Sequence, residues 1–201
     1  MPVTRGRFTV VTSAMRREWP DKEFIELVKK SFPDQGLASV EEARVLTAEL
    51  DYVYLDVRPT FEFEEAGKVK SSVNIPLKNT KKAFVDGKKV LTKEDNPAFL
   101  AMVQKKFPKL DTPLMVACSD GKAYSFDALT ILEEEGGYTN LACLRGGYYA
   151  WFNVFDNKLN RRRNGEYQEN YSAEGDSCGI HSSGAGFAKS DKADKWAPPK
   201  Y

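Results

Sequence analysis

Short apolar runs alternate with helix-length segments through the middle of this chain, and that alternation constrains its fold more than any other feature. Residues 52–57, 73–77, 113–117 and 141–144 are apolar stretches of strand length. Between and around them lie segments with helical spacing. In 22–32, Phe24, Ile25, Leu27, Val28 and Phe32 fall on one side, and Asp21 is placed to cap them. Residues 41–49, 61–66, 96–107, 124–135 and 148–155 also read as helices. The lysine-rich stretch 78–92, with Asp86-Gly87 as a turn signal, reads as a solvated connection. Strands separated by helices imply a parallel sheet covered on both faces, with right-handed crossovers. In such α/β sheets the sites lie at the carboxyl ends of the strands.

Cys118 stands at one such end. The run 113–117 delivers it into a loop, Ser119-Asp120-Gly121-Lys122-Ala123-Tyr124-Ser125, and an apolar helical pattern follows. A strand–loop–helix unit points backbone N–H groups and a helix N-terminus at whatever occupies the loop. A thiol there is expected to have a lowered pKa, and the thiolate is the nucleophile. Gly121 is expected to supply a backbone angle that other residues resist.

Other chemistries fit the sequence poorly. A cysteine phosphatase loop needs Cys-x5-Arg to hold phosphate bidentately, and that position is Tyr124. The one histidine, His181, forms Cys178-Gly179-Ile180-His181, which offers at most two ligands where zinc sites usually need more. His181 lies in a tail, and nothing places it near Cys118 as a catalytic base. No metal is therefore expected. The net charge of +1 sets up no field of one sign, which argues against nucleic acid as a partner. Arg161-Arg162-Arg163 reads as a solvated turn. No apolar run approaches the roughly 20 residues of a membrane-spanning helix. Three cysteines do not make a secreted disulfide framework.

Three further groups of residues stand in order. Leu55-Asp56-Val57-Arg58 is followed by Glu62, Gly67-Lys68-Val69 and Val73-Asn74-Ile75-Pro76. Cys118-x-x-Gly121 with Ser125 comes next, and then Leu144-Arg145-Gly146-Gly147 with Ala150-Trp151. In these groups the chain, over about residues 37–155, resembles the rhodanese (sulfurtransferase) family. The resemblance implies a rhodanese-like α/β fold: a central parallel five-stranded sheet with helices on both faces, plus extended N- and C-terminal segments. It implies that Cys118 is catalytic and carries sulfur as a persulfide. Ser119, Asp120, Gly121, Lys122, Ala123, Tyr124 and Ser125 would bind the substrate, with Ser125 capping the helix or donating to the loop. A small sulfur donor and a thiol acceptor are the implied partners, without metal or organic cofactor. Asp56 and Arg58 are expected to give structural support, in a buried or half-buried ion pair with Glu62.

The pattern departs from the family at two places. The usual His of Gly-His-Ile is Lys68. The sixth loop position, often Arg, Thr or Ser in active members, is Ala123, which offers an anionic donor no side-chain hydrogen bond. Asp120 adds a negative charge beside the anion site, and Lys122 offsets it. These departures motivate a second reading, a non-catalytic rhodanese-like interaction subunit docked on an organellar assembly.

Residues 1–36 read as an N-terminal extension with one helix. Residues 5–14 are basic, hydroxyl-rich and free of acid, like the end of a transit peptide, which suggests an organelle, the plastid by general similarity to plant and algal relatives. Residues 156–201 read as an extended C-terminal tail rich in Gly and Ser. Tyr167, Tyr171, Ile180, Phe187 and Trp196 would anchor it on the domain or on a protein partner.

Overall fold

The computed structural model describes residues 20–32, 34–85, 88–156 and 159–162, with two short pieces at 167–168 and 186–187. The acid-free stretch 5–14, Asp86-Gly87, Arg163, Tyr171, Cys178, Ile180, His181 and Trp196 lie outside the described residues.

Five parallel strands form the central sheet in the order β1-β7-β6-β2-β3. They are β1 (Leu37–Ala38), β2 (Val53–Asp56), β3 (Val73–Asn74), β6 (Leu114–Ala117) and β7 (Leu141–Leu144). Their register places Asp56 opposite both Asn74 and Ala117, and Val116 opposite Cys143. Successive side chains of a strand point to opposite faces. Met115 and Ala117 therefore enter one core, and Leu114 and Val116 the other.

The first core is closed by α1 (Lys22–Ser31), α2 (Val40–Glu49) and α6 (Gly147–Val154), which bring in Val28, Leu46, Trp151 and Val154. The second is closed by α4 (Phe99–Lys106) and α5 (Ala123–Thr130) through Phe99, Val103 and Ala128. Local signals start the helices where the sequence places them. Asp21 accepts from the Phe24 N–H at 2.8 Å. Ser39 and Glu42 form a reciprocal capping box at the start of α2, with bonds of 2.8 and 3.3 Å.

Two elements differ from the sequence reading. Leu37–Ala38 makes an edge strand, pairing with Cys143 and Leu144; two residues are too few to show a period. Residues 78–95 are not a simple connection. They form an antiparallel ribbon, β4 (Lys78–Val85) with β5 (Lys88–Asp95). Ion pairs Lys78–Asp95 and Lys81–Glu94, both at 2.5 Å, run across it. Its strands pair through the backbone along their whole length, and its apolar residues Phe84 and Val90 are exposed. A short helix, α3 (Thr60–Glu65), lies against β4.

No described helix is long and apolar enough to cross a membrane. Of the expected tail anchors, Tyr167 pairs with Phe187 in a two-residue antiparallel ladder, β8 (Tyr167–Gln168) with β9 (Gly186–Phe187).

Candidate active site

Cys118 follows β6, the central strand of the sheet. Its parallel neighbours end in Asp56-Val57-Arg58 and in Leu144-Arg145-Gly146, so three strand ends converge on one loop. The N–H groups of Tyr148 and Tyr149, at the start of α6, donate to the Cys118 and Ser119 carbonyls at 2.8 and 3.0 Å. The loop backbone is thereby clamped to α6. Gly121 and Gly147 allow this close approach. Both have left-handed φ, +69° and +58°. A Cβ on Gly121 would lie 2.5 Å from the Leu144 carbonyl oxygen, and one on Gly147 would collide with the Cys118 carbonyl.

Cys118 is 1% exposed. Gly121 N–H donates to Cys118 Sγ at 3.2 Å, and Sγ donates to Asp120 Oδ1 at 3.3 Å. The Lys122 N–H is engaged with the same Asp120 oxygen at 3.1 Å. Ser125, fully buried, accepts the Cys118 backbone N–H on Oγ at 2.9 Å. Ser125 therefore fixes the cysteine's own amide, and its side-chain hydrogen bond to the thiol favours the thiolate. The expectation of a lowered thiol pKa is corrected. Burial pushes the Cys118 thiol up, Ser125 pulls it back, and the Asp120 carboxylate pushes it up further. Removing the thiolate from water outweighs the Ser125 side chain and the loop amides that favour it. Burial also pushes Cys143 up, to about 12.

The support residues are arranged differently from the expected ion pair with Glu62. Arg58 pairs with Asp56: Nε donates to Oδ1 at 2.9 Å and Nη2 to Oδ2 at 2.6 Å, both side chains being buried. Arg58 Nη2 also donates to the Gly67 carbonyl at 2.9 Å, and its guanidinium stacks 3.8 Å from the Tyr148 ring centre. Burial pushes the Asp56 carboxyl up while the Arg58 contacts oppose it. Glu62 serves the loop instead. It accepts from Ser119 Oγ and from Lys93 Nζ, both at 2.8 Å.

Lys93 was not legible as a site residue, because the ribbon carrying it reads as solvent-exposed. Lys93 and Lys78 both lie 5.4 Å from the Tyr124 ring centre. Lys122 starts α5 without a side-chain cap, and Ala123 is exposed beside it. Lys68, at the usual histidine position, is exposed and lies 5.3 Å from the Phe63 ring centre, away from the thiol's partners. Among the described residues no group of three His, Cys, Asp or Glu side chains is placed to hold a metal.

The rhodanese-like domain profile matches residues 39–153, more than half of the chain. The chain belongs to the rhodanese-like domain family. It is 34% identical over 125 residues to rhodanese-like domain-containing protein 9, chloroplastic, of Arabidopsis thaliana, covering 54% of this chain and 51% of that one. It is 29% identical over 110 residues to a Saccharomyces cerevisiae adenylyltransferase and sulfurtransferase, covering 54% of this chain and 22% of the relative. The chain thus spans about a fifth of the yeast relative and about half of the plant one. Among solved structures, a thiosulfate sulfurtransferase of Pseudomonas aeruginosa superposes with a TM-score of 0.43 at 22% identity, over 64% of this chain and 21% of that one.

Proposed function

We propose that this rhodanese-like domain is a sulfurtransferase that carries a sulfane sulfur on Cys118. The observation that supports it is the Gly121 N–H on Sγ, in a loop clamped by the start of α6. In the first step the Cys118 thiolate attacks the outer sulfur of a donor. A Cys118 S–S bond forms, the donor's bond to that sulfur breaks, and the leaving group departs with the electron pair. The thiol proton passes through the Asp120 carboxylate, which already accepts it, to solvent. An acceptor thiolate then attacks the outer sulfur and Cys118 leaves as thiolate. Neither step changes the total oxidation state, so no cofactor is required. The loop amides stabilise the anionic sulfur at each stage. For an outer sulfur to seat, Asp120 must swing off Sγ.

A second reading is favoured by one pair of neighbours. A carboxylate on a buried thiol disfavours its ionisation, and Ala123 offers an anion no hydrogen bond. A domain so built would act as an interaction subunit with little turnover, its tail serving as the contact to a protein partner. Plastid localisation belongs to the same proposal, supported by the chloroplastic relative and the acid-free stretch 5–14. Cyanolysis distinguishes the two readings. Protein loaded with a sulfane donor should release one thiocyanate per chain, and Cys118→Ser none. Absence of transferable sulfur from several donors would leave the interaction reading in its place.

A further inference from the structure

The β4–β5 ribbon meets the domain beside the cysteine loop and carries Phe84, 76% exposed, next to its turn. At its base Lys93 Nζ holds Glu62, which in turn accepts from Ser119 of the loop. Lys78 and Lys93 both approach the Tyr124 ring. Successive positions of a strand alternate between two faces. The register therefore puts positions 78, 80, 82 and 84, with their partners 95, 93, 91 and 89, on one face. Phe84 shares the face whose base meets Tyr124. Six residues of strand separate it from Lys78, a span of about 20 Å. A small sulfur donor cannot bridge that length, but a polypeptide can.

The charge of the ribbon says what kind of polypeptide fits. Residues 78–95 hold six lysines and three acids, in a chain whose net charge is only +1. The outer positions of the Phe84 face are Lys82, Leu91 and Lys89, with no acid among them. Among the described side chains each ribbon lysine holds a carboxylate: Lys78 holds Asp95, Lys81 holds Glu94 and Lys93 holds Glu62. The ribbon has no arginine, the usual bidentate holder of phosphate, which disfavours RNA and phospholipid. Like charge disfavours a second copy of the same ribbon. An exposed aromatic ringed by cations is the pattern of an anchor with a polar rim.

We propose that this ribbon face docks an acidic segment of a partner protein, its carboxylates on the ribbon lysines and an apolar side chain on Phe84, with one end of the segment at the Cys118 loop. Lys82, Phe84 and Lys89 lie outside that loop, so the surface stands whether the domain transfers sulfur or only binds.

The test is fluorescence anisotropy of the full chain with a labelled decapeptide of alternating Glu and Leu. The comparators are the Lys-Leu decapeptide, an oligouridylate and phosphatidylserine vesicles. The Glu-Leu peptide should bind saturably and about tenfold or more tighter than the Lys-Leu peptide. Lys82→Glu with Lys89→Glu should weaken it about tenfold or more, and Phe84→Ser about fivefold. Lys105→Glu with Lys106→Glu makes the same charge change on exposed positions of α4 and should alter binding less than about twofold. The Cys118 alkylation rate should be unchanged in all of these variants, which separates lost docking from a disturbed loop. If the charge-reversed ribbon fails to fold, Lys82→Gln with Lys89→Gln should still weaken the peptide about threefold. Absence of saturable binding, an equal loss in the α4 variant, or no effect of Phe84→Ser would overturn the proposal. Tighter binding of the oligouridylate or the vesicles would also overturn it, in favour of a phosphate-bearing partner.

Discussion

Ser119 Oγ donates to Glu62 Oε2 at 2.8 Å, joining the cysteine loop to a helix 57 residues earlier in the chain. Glu62 also holds Lys93, so one carboxylate links α3, the β4–β5 ribbon and the loop. Glu62 is partly exposed, and exposed ion pairs are worth about 0–1 kcal/mol. Glu62→Ala is therefore expected to lower stability by less than about 1.5 kcal/mol once the Ser119 bond is included. Sulfur transfer should fall more, by about tenfold, because the loop loses its register. Urea midpoints and cyanolysis rates on the same preparations check this. An unchanged rate would remove Glu62 from the site.

Gly147 tests the clamp. Adding a Cβ meets the Cys118 carbonyl and forces a side chain into left-handed φ. The angle alone costs about 1–2 kcal/mol. With the collision, Gly147→Ala is expected to destabilise by roughly 3 kcal/mol or more, among the larger single-residue effects. Gly36→Ala is the control, since nothing lies within 4 Å of its position and its φ is ordinary. It should stay within about 0.5 kcal/mol of wild type. Chemical denaturation of both variants measures the contrast.

The parts legible in the sequence were those carried by pattern. The strand ending at Cys118 is apolar at every position, and its two faces enter two cores, so a buried strand was the reading that fitted. Gly146-Gly147 was legible as a motif, but its reason, contact with the Cys118 loop, lies between segments distant in sequence. The ribbon was missed because its lysine-rich strands, paired through the backbone, read as solvated polar chain. The Glu62 partner was misassigned for a related reason. Arg58 is two residues from Asp56 and folds back on it, while Glu62 faces a loop that only the tertiary fold brings near. The thiol's pKa was misjudged in sign because local sequence shows the amides and the helix but not the depth of burial.

That sign has a measurable consequence. A raised pKa means a smaller thiolate fraction at neutral pH, so Cys118 should alkylate more slowly there than a free cysteine. The midpoint of its pH–alkylation profile should lie above the ordinary cysteine value. Asp120 contributes by charge, so Asp120→Asn should move the midpoint down and speed alkylation near neutral pH. Cys143, pushed to about 12, should remain unreactive throughout. A Cys118 profile below that of a free thiol would contradict the burial argument.

Residues 159–162 tie the chain back to the domain. Arg161 pairs with Glu41 on α2, and Arg162 donates from its backbone N–H to the Val154 carbonyl at 2.7 Å. Arg162 Nε donates to the Phe152 carbonyl at 2.7 Å, and Leu159 packs on the first core. Ending the chain after Asn157 should therefore cost about 2–4 kcal/mol, from partial burial of one Leu and several hydrogen bonds. Ending it after Arg162 should cost little. Equal stability of the two truncations, by thermal melting, would show these contacts to be inert.

The mouth of the site also sets an expectation for donor choice. Its cations Lys78 and Lys93 are each already paired, with Asp95 and Glu62, and Asp120 lies on the thiol itself. Asp120 accepts the Lys122 backbone N–H and keeps its negative charge beside the thiol, so a dianion such as thiosulfate is expected to bind weakly. Ala123 is exposed at the start of α5, beside the loop, where a longer side chain has room. Ala123→Arg should lower the KM for thiosulfate by about tenfold or more, since a charge-assisted contact is worth roughly 1.5–3 kcal/mol. A neutral persulfide donor should gain little, because it presents no matching charge. Steady-state kinetics with both donors separates the effect from a general change in the loop. Efficient thiosulfate turnover in wild type, unaltered by Ala123→Arg, would mean that donor binding does not depend on the charge at this position.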